Sequence, residues 1–129
     1  MNLKTIFKRL ILLDLSLIIL TIVAVFFESK EVADFNMYFE NDYSNALLII
    51  VGIGLLIYLI NLFLLYKFKS IGKQIYLILF IVFMVLILLS PPSAMDPLLY
   101  TLDGLGMANS GAILVFLYFT PIKKEFDKK

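Results

Sequence analysis

Four long apolar blocks constrain this chain more than any other feature of its sequence. They cover residues 10–27, 46–66, 71–90 and 98–120. The shortest block, of 18 residues, would form about 27 Å of helix, close to the roughly 30 Å of a bilayer's hydrocarbon core. The hydrophobic fraction is 62%, which is more than a small soluble domain can bury. The sequence therefore predicts an all-α integral membrane protein, a bundle of four transmembrane helices.

The segments between the blocks predict how the helices end and pair. Pro91 and Pro92 end the third block, because proline has no N–H and cannot continue a helix. Asp96 suits the N-cap of the fourth helix, and Pro97 suits its first turn. The second and third blocks are joined by the short sequence KFKS, which predicts an antiparallel hairpin. Residues 1–129 are thus expected to form a single domain.

The basic residues predict the orientation of the bundle. Ten of the eleven lysines and arginines would lie on one side of it, and only Lys30 on the other. Cytoplasmic segments carry such an excess of basic residues. Both termini are therefore predicted to face the cytoplasm, with loop 28–45 outside. The compact, loop-poor and lysine-rich design favours a bacterial inner membrane.

Composition and motifs argue against several functional classes. The net charge of +1 does not fit a nucleic-acid-binding protein, which needs a basic face. The chain has no cysteine and no histidine, so it lacks a disulfide framework and the usual zinc ligands. It has no nucleophile elbow, no H-E-x-x-H, no Walker loop and no dinucleotide fingerprint. The prediction is a protein that is not an enzyme and that has no cofactor or metal.

One carboxylate, Asp14, lies about one turn inside the first apolar block. An acid at the bilayer centre costs about 3 kcal/mol, so an intramembrane acid is a functional-site hypothesis by default. A protonatable site is one interpretation. Pairing with Arg9 or Lys73 in the headgroup region is another, and a hydrogen bond to Asn61, at similar depth in the second span, is a third. The sequence favours the two structural interpretations.

The fourth block combines Asp103 with small residues at regular spacing. One row contains Gly104, Ala108 and Ala112, and the other contains Gly106 and Ser110. Such rows let helix backbones approach closely, so they predict packing within the bundle or against a second copy. The alternative is a loosely packed path for a small solute, with Asp103 near its outer mouth. Asp14 and Asp103 are expected near opposite ends of the bundle, which argues against an aspartyl pair.

Loop 28–45 is the largest predicted extramembrane segment. Val32, Phe35 and Phe39 recur at helical spacing, which predicts a short amphipathic helix on the outer surface. The carboxylates of the loop do not match the spacing of an EF-hand, so a metal site is not expected. An apolar patch for a partner would consist of Phe35, Met37, Tyr38 and Phe39.

Two functions from different classes remain. The first is a non-catalytic accessory, scaffold or regulatory membrane subunit, which would contact a membrane protein or its own copy through the fourth helix or the outer loop. The second is a small proton-coupled transporter or channel that uses Asp14. The sequence favours the first, because a conduction path needs a continuous polar lining and the spans contain few polar groups.

Overall fold

The structure is a computed structural model that describes residues 2–40, 45–90 and 93–127, with the backbone alone for 38–40 and 45–48. Within these ranges the chain is helical, without a strand, which confirms the predicted all-α class. The helices are α1 (Leu3–Val25), α2 (Lys30–Glu40), α3 (Asn45–Tyr66), α4 (Ser70–Leu89), α5 (Pro97–Phe119) and α6 (Lys123–Phe126).

Three of these helices are long and apolar enough to cross a membrane. They are α3, over Ile49–Tyr66, and the whole of α4 and α5. Helix α1 meets the same criteria together with Lys30–Met37 of α2, as a pair bent by 90°. The predicted presence of several helices with the length and composition of membrane spans is confirmed. The predicted stop at Pro91 and Pro92 lies outside the described residues.

Helix α1 begins seven residues before the predicted span 10–27. The side chain of Asn2 accepts a hydrogen bond from the Lys4 N–H at 3.1 Å and caps the helix within the basic segment. Asp14 therefore lies eleven residues from each end of α1, deeper in the helix than the apolar block alone indicates.

The long helices associate as two pairs. Helix α1 packs along α5, and α3 packs along α4; α1 also contacts α3, whereas α4 and α5 touch over a short stretch only. The buried stripe of α1 has helical spacing and contains Phe7, Ile11, Asp14, Leu17 and Ala24. Many large apolar side chains of the long helices remain exposed, as on a surface that faces lipid.

The basic end of the structure is formed by residues 2–9, the turn between α3 and α4, and α6. An aromatic core closes it. The Phe126 ring lies 5.7 Å from the Phe7 ring and 5.3 Å from the Phe68 ring, measured between centroids. Phe68 has a φ of 54°, in the left-handed region that bulky residues rarely adopt. Lys4 pairs with Glu125 of α6 at 2.8 Å, so α6 is held to the start of α1.

The acidic end is formed by residues 26–40 and 93–96. The helix predicted within loop 28–45 is confirmed as α2. The Ser29 N–H and hydroxyl donate to the Asp96 carboxylate at 2.7 and 3.0 Å. Asn36 donates to the Ala94 carbonyl at 3.1 Å and accepts from the Ala94 N–H at 2.9 Å. These bonds fasten α2 to the connection between α4 and α5.

Two predictions for the acidic end concern the N-cap at Asp96 and the apolar patch. The first is only partly met, and the second lies partly outside the described residues. Asp96 does occupy the N-cap position of α5, but its side chain makes no capping hydrogen bond, because its carboxylate binds Ser29 instead. Of the predicted apolar patch, Phe35 and Met37 are exposed. The side chains of Tyr38 and Phe39 lie outside the description.

Candidate functional site

The candidate site is centred on Asp14, whose exposed fraction is 3%. Its Oδ1 accepts a hydrogen bond from the Asn109 side-chain amide at 2.8 Å. Its Oδ2 accepts a hydrogen bond from the Tyr58 hydroxyl at 2.6 Å. Both carboxyl oxygens therefore have donors, one from α5 and one from α3, and the site joins three helices.

The carboxamide beside Asp14 comes from Asn109 and not from Asn61. The second amide hydrogen of Asn109 goes to the Leu10 carbonyl at 3.1 Å. Asn61 is buried, yet neither its Oδ1 nor its Nδ2 has a partner among the described residues, so the expected bond to Asp14 is not formed. Asn61 lies against α4, where a Cβ built on Gly72 would be 3.3 Å from its Oδ1.

The hydroxyl of Tyr76, on α4, extends the cluster formed by Asp14, Asn109 and Tyr58. The Tyr58 and Tyr76 hydroxyl oxygens lie 3.3 Å apart, and the rings lie 5.8 Å apart between centroids. Ser110 lies within hydrogen-bonding reach of Tyr76. Neither tyrosine is among the site residues predicted from the sequence, which places Tyr76 at the inner membrane interface. The signal was present, because a tyrosine inside an apolar span needs a partner for its hydroxyl.

The tyrosine pair can serve both protonation states of Asp14. A hydroxyl has one hydrogen and donates to one acceptor at a time. When Asp14 is ionised, Tyr58 donates to it and Tyr76 donates to Tyr58. When Asp14 is protonated, its O–H can donate to Tyr58, whose own hydrogen then turns to Tyr76. Rotation of hydroxyl hydrogens is enough to accommodate the proton, without movement of a helix.

A cavity of about 390 Å³ borders this cluster, within the range of roughly 300–1,000 Å³ that is typical of ligand pockets. Asp14, Tyr58 and Tyr76 line the part of it nearest the basic end, and from there it extends toward the acidic end. Its walls are mostly apolar and include Leu17, Ile18, Ile22, Leu55, Phe80, Phe83, Met84, Ile87, Leu102 and Met107. The cavity occupies the space between α4 and α5, which contact each other over a short stretch only.

Asp103 lines the same cavity as Asp14. The sequence placed the two acids near opposite ends, because it put Asp14 close to the basic end of its span. Asp103 precedes Asn109 by six residues, which is about 9 Å along the helix axis, and Asn109 touches Asp14. The cavity lining contains no lysine or arginine in the described part of the chain. Carboxylates and aromatic faces both attract cations, so the cavity favours positive charge.

The two rows of small residues on α5 lie in different surroundings. Gly106 and Ser110 line the cavity. Gly104 and Ala108 are exposed and Ala112 is half-buried, and a Cβ on Gly104 would meet no heavy atom within 4 Å. The first row thus makes no close helix contact at Gly104 within the described residues. Packing of this row against a second copy stays a prediction.

Known proteins offer no guide to the function of this site. The chain gives no significant match to a protein family, to a curated protein sequence or to a solved structure. Among the described residues, no group of three or more histidine, cysteine, aspartate or glutamate side chains could hold a metal ion. The chemistry of the site therefore has to be argued from its own geometry.

Proposed function

We propose that this protein is a small carrier of four transmembrane helices that binds an organic cation at Asp14 in exchange for a proton. One observation carries the proposal: Asp14, at mid-length of a largely apolar helix, lines a cavity in addition to its contacts with Tyr58 and Asn109. The other titratable groups that face this cavity are Tyr58 of α3, Tyr76 of α4 and Asp103 of α5. None of these groups is cationic, so none of them would form an ion pair with the Asp14 carboxylate.

The proposal has the four long helices cross the membrane, with the basic end and both termini in the cytoplasm. The excess of lysine and arginine at that end supports this orientation, and a bacterial inner membrane fits the short connections. The aromatic core at the basic end would then close the cytoplasmic half of the bundle, and the cavity would occupy the outer half. The site would be reached from outside or from the outer leaflet.

Exchange follows from competition for one carboxyl group. A protonated Asp14 is neutral and suits the apolar surroundings, whereas an ionised Asp14 attracts a cation. One carboxyl group cannot hold a proton and pair with a cation together, so binding of either releases the other. Tyr58 and Asn109 keep the two carboxyl oxygens hydrogen-bonded in both states, and Tyr76 is the second partner of the Tyr58 hydroxyl.

The proposal is tested with protein reconstituted in liposomes that contain a pH-sensitive dye. Addition of hexyltrimethylammonium outside should move protons out of liposomes that contain wild-type protein. A quaternary ammonium cannot lose a proton and cross the lipid as a neutral base, so it does not change the internal pH without the protein. Asp14→Asn should abolish this movement. Asp34→Asn, which removes an exposed acid of α2, is the matched control and should keep it. Proton-independent uptake that persists in Asp14→Asn would exclude the proposal.

A non-catalytic accessory, scaffold or regulatory subunit is the second candidate function. Two sets of exposed residues favour it: Gly104 and Ala108 on one face of α5, and the aromatic side chains of Phe26, Phe27 and Phe35 at the acidic end. Such surfaces suit a second copy or another membrane protein. This function predicts that Gly104→Leu disrupts an assembly seen by light scattering in detergent, while Asp14→Asn leaves it intact.

A further inference from the structure

We infer that the cavity takes an elongated organic dication, of the α,ω-diamine class, with one ammonium at Asp14 and the other at Asp103. The inference rests on the proposed function, because it assumes that the cavity binds a cation. It adds the shape and the charge of the ligand, which follow from a second carboxylate in the same cavity.

The two carboxylates lie at different levels along the cavity. Asp14 is buried at the level of Asn109, which it contacts. Asp103 is exposed and lies about 9 Å along α5 toward the acidic end, by the rise of the helix. A ligand that pairs with both acids must therefore carry two positive groups separated by a spacer of about that length. An extended chain of octane length is comparable.

The walls between the two acids indicate the nature of the spacer. Phe80, Phe83 and Met107 are among the side chains that line the cavity. A methylene chain gains by burial against such walls, whereas a spacer rich in hydroxyl groups would lose hydrogen bonds to water. An anionic group would be repelled by both acids. The lining thus fits two ammonium groups joined by an apolar chain.

Asp103 needs an explanation of its own. It lies six residues inside α5, a helix apolar enough to cross a membrane. Acids within membrane-spanning helices usually belong to ligand or ion pathways. A ligand with one ammonium would leave this carboxylate unpaired. One additional, partly hydrated ion pair strengthens binding, so a dication should bind about tenfold more tightly than a matched monocation.

The test is a calorimetric titration of the full chain in lipid nanodiscs, with empty nanodiscs as the blank for partitioning. The probes are α,ω-diaminooctane and n-octylamine, which share the spacer and differ in the second ammonium. Wild type should bind the diamine about tenfold more tightly. Asp103→Asn should bind the two probes equally, and Asp34→Asn, with the same change in net charge, should keep the preference.

The outcomes separate this inference from the proposed function. If n-octylamine binds wild type and fails to bind Asp14→Asn, but the diamine has no advantage, the dication is excluded and the cation site stands. A diamine advantage that persists in Asp103→Asn also excludes the dication. If neither amine binds in a way that depends on Asp14, the proposed function and this inference are both overturned.

Discussion

At the scale of single residues, the stability of the site depends on the hydrogen bonds that the Asp14 side chain makes. In Asp14→Asn the side-chain oxygen can still accept from Asn109, and the new amide can donate to the Tyr58 oxygen. This variant mimics the protonated acid, so we expect it to melt at the wild-type temperature or above.

Asp14→Leu should behave differently from Asp14→Asn. It removes both acceptors and leaves the buried Asn109 amide and Tyr58 hydroxyl with fewer partners, which costs about 1–3 kcal/mol. Thermal unfolding in mild detergent compares the two variants. A leucine variant as stable as wild type would show that the hydrogen bonds to Asp14 contribute nothing to the fold.

Gly72 of α4 provides a second test, because it lies close to the backbone of α3. A Cβ at this position would lie 3.1 Å from the Leu64 Cβ and 3.2 Å from the Leu65 backbone nitrogen. Gly72→Ala should therefore destabilise the protein by about 1–3 kcal/mol through overpacking.

Gly52→Ala is the matched control for Gly72→Ala. A Cβ on Gly52 meets nothing within 4 Å, and alanine favours helix, so this variant should be neutral or slightly more stable. Equal melting temperatures for the two variants would contradict the close packing of α3 and α4.

The sequence indicates that Asp14 is unusual, but it does not identify the partners of that residue. A carboxylate in an apolar block is visible by composition alone. The choice between Asn61 and Asn109 depends on the depth of Asp14 and on which faces of the helices meet. The sequence places Asp14 too near the end of its helix, because the charged segment before Leu10 is compatible with a loop as well as with a helix. In the structure α1 includes that segment and is capped by Asn2.

At the scale of elements, α6 closes the basic end. The exposed fraction of Phe126 is 1%, and its ring packs edge-on against Phe7. Phe126→Ala should lower the free energy of unfolding by about 3 kcal/mol. Phe119→Ala removes a ring that is 84% exposed and should have little effect in detergent. Similar melting temperatures for these variants would show that α6 does not pack as described.

The hydrogen bonds between α2 and the connection of α4 with α5 give another prediction. Asp96→Ala removes both acceptors of Ser29. We expect faster amide hydrogen exchange in residues 29–37, because this end of α2 loses its attachment, while α3 keeps its protection. Mass spectrometry of peptides from the two segments reports the difference. Unchanged exchange in 29–37 would mean that Asn36 and Ala94 suffice to hold α2.

Elements differ in how far the sequence predicts them. Helices α3, α4 and α5 lie within one residue of the predicted spans 46–66, 71–90 and 98–120, because long apolar runs bounded by polar residues leave few choices. Helix α2 follows from the spacing of its apolar residues. Helix α6 has four residues, too few for any periodic pattern, so only its packing against the aromatic core reveals it.

At the scale of the whole molecule, the cavity could not be predicted from the sequence. Helices α3 and α5 are apolar around most of their circumference, so no stripe of apolar residues indicates which face meets a neighbour. The cavity arises because the two helix pairs contact each other mainly through α1 and α3, while α4 and α5 stay apart over most of their length. That arrangement brings Asp14 and Asp103 to one space.

A cation and a proton are expected to compete for Asp14. The most direct measurement is the proton release that follows addition of hexyltrimethylammonium to the protein in weakly buffered nanodiscs, recorded with a pH indicator over a range of starting pH. Wild type should release up to about one proton per cation bound, and Asp14→Asn should release no protons. Cation binding without proton release at any pH, or equal release by Asp14→Asn, would contradict it.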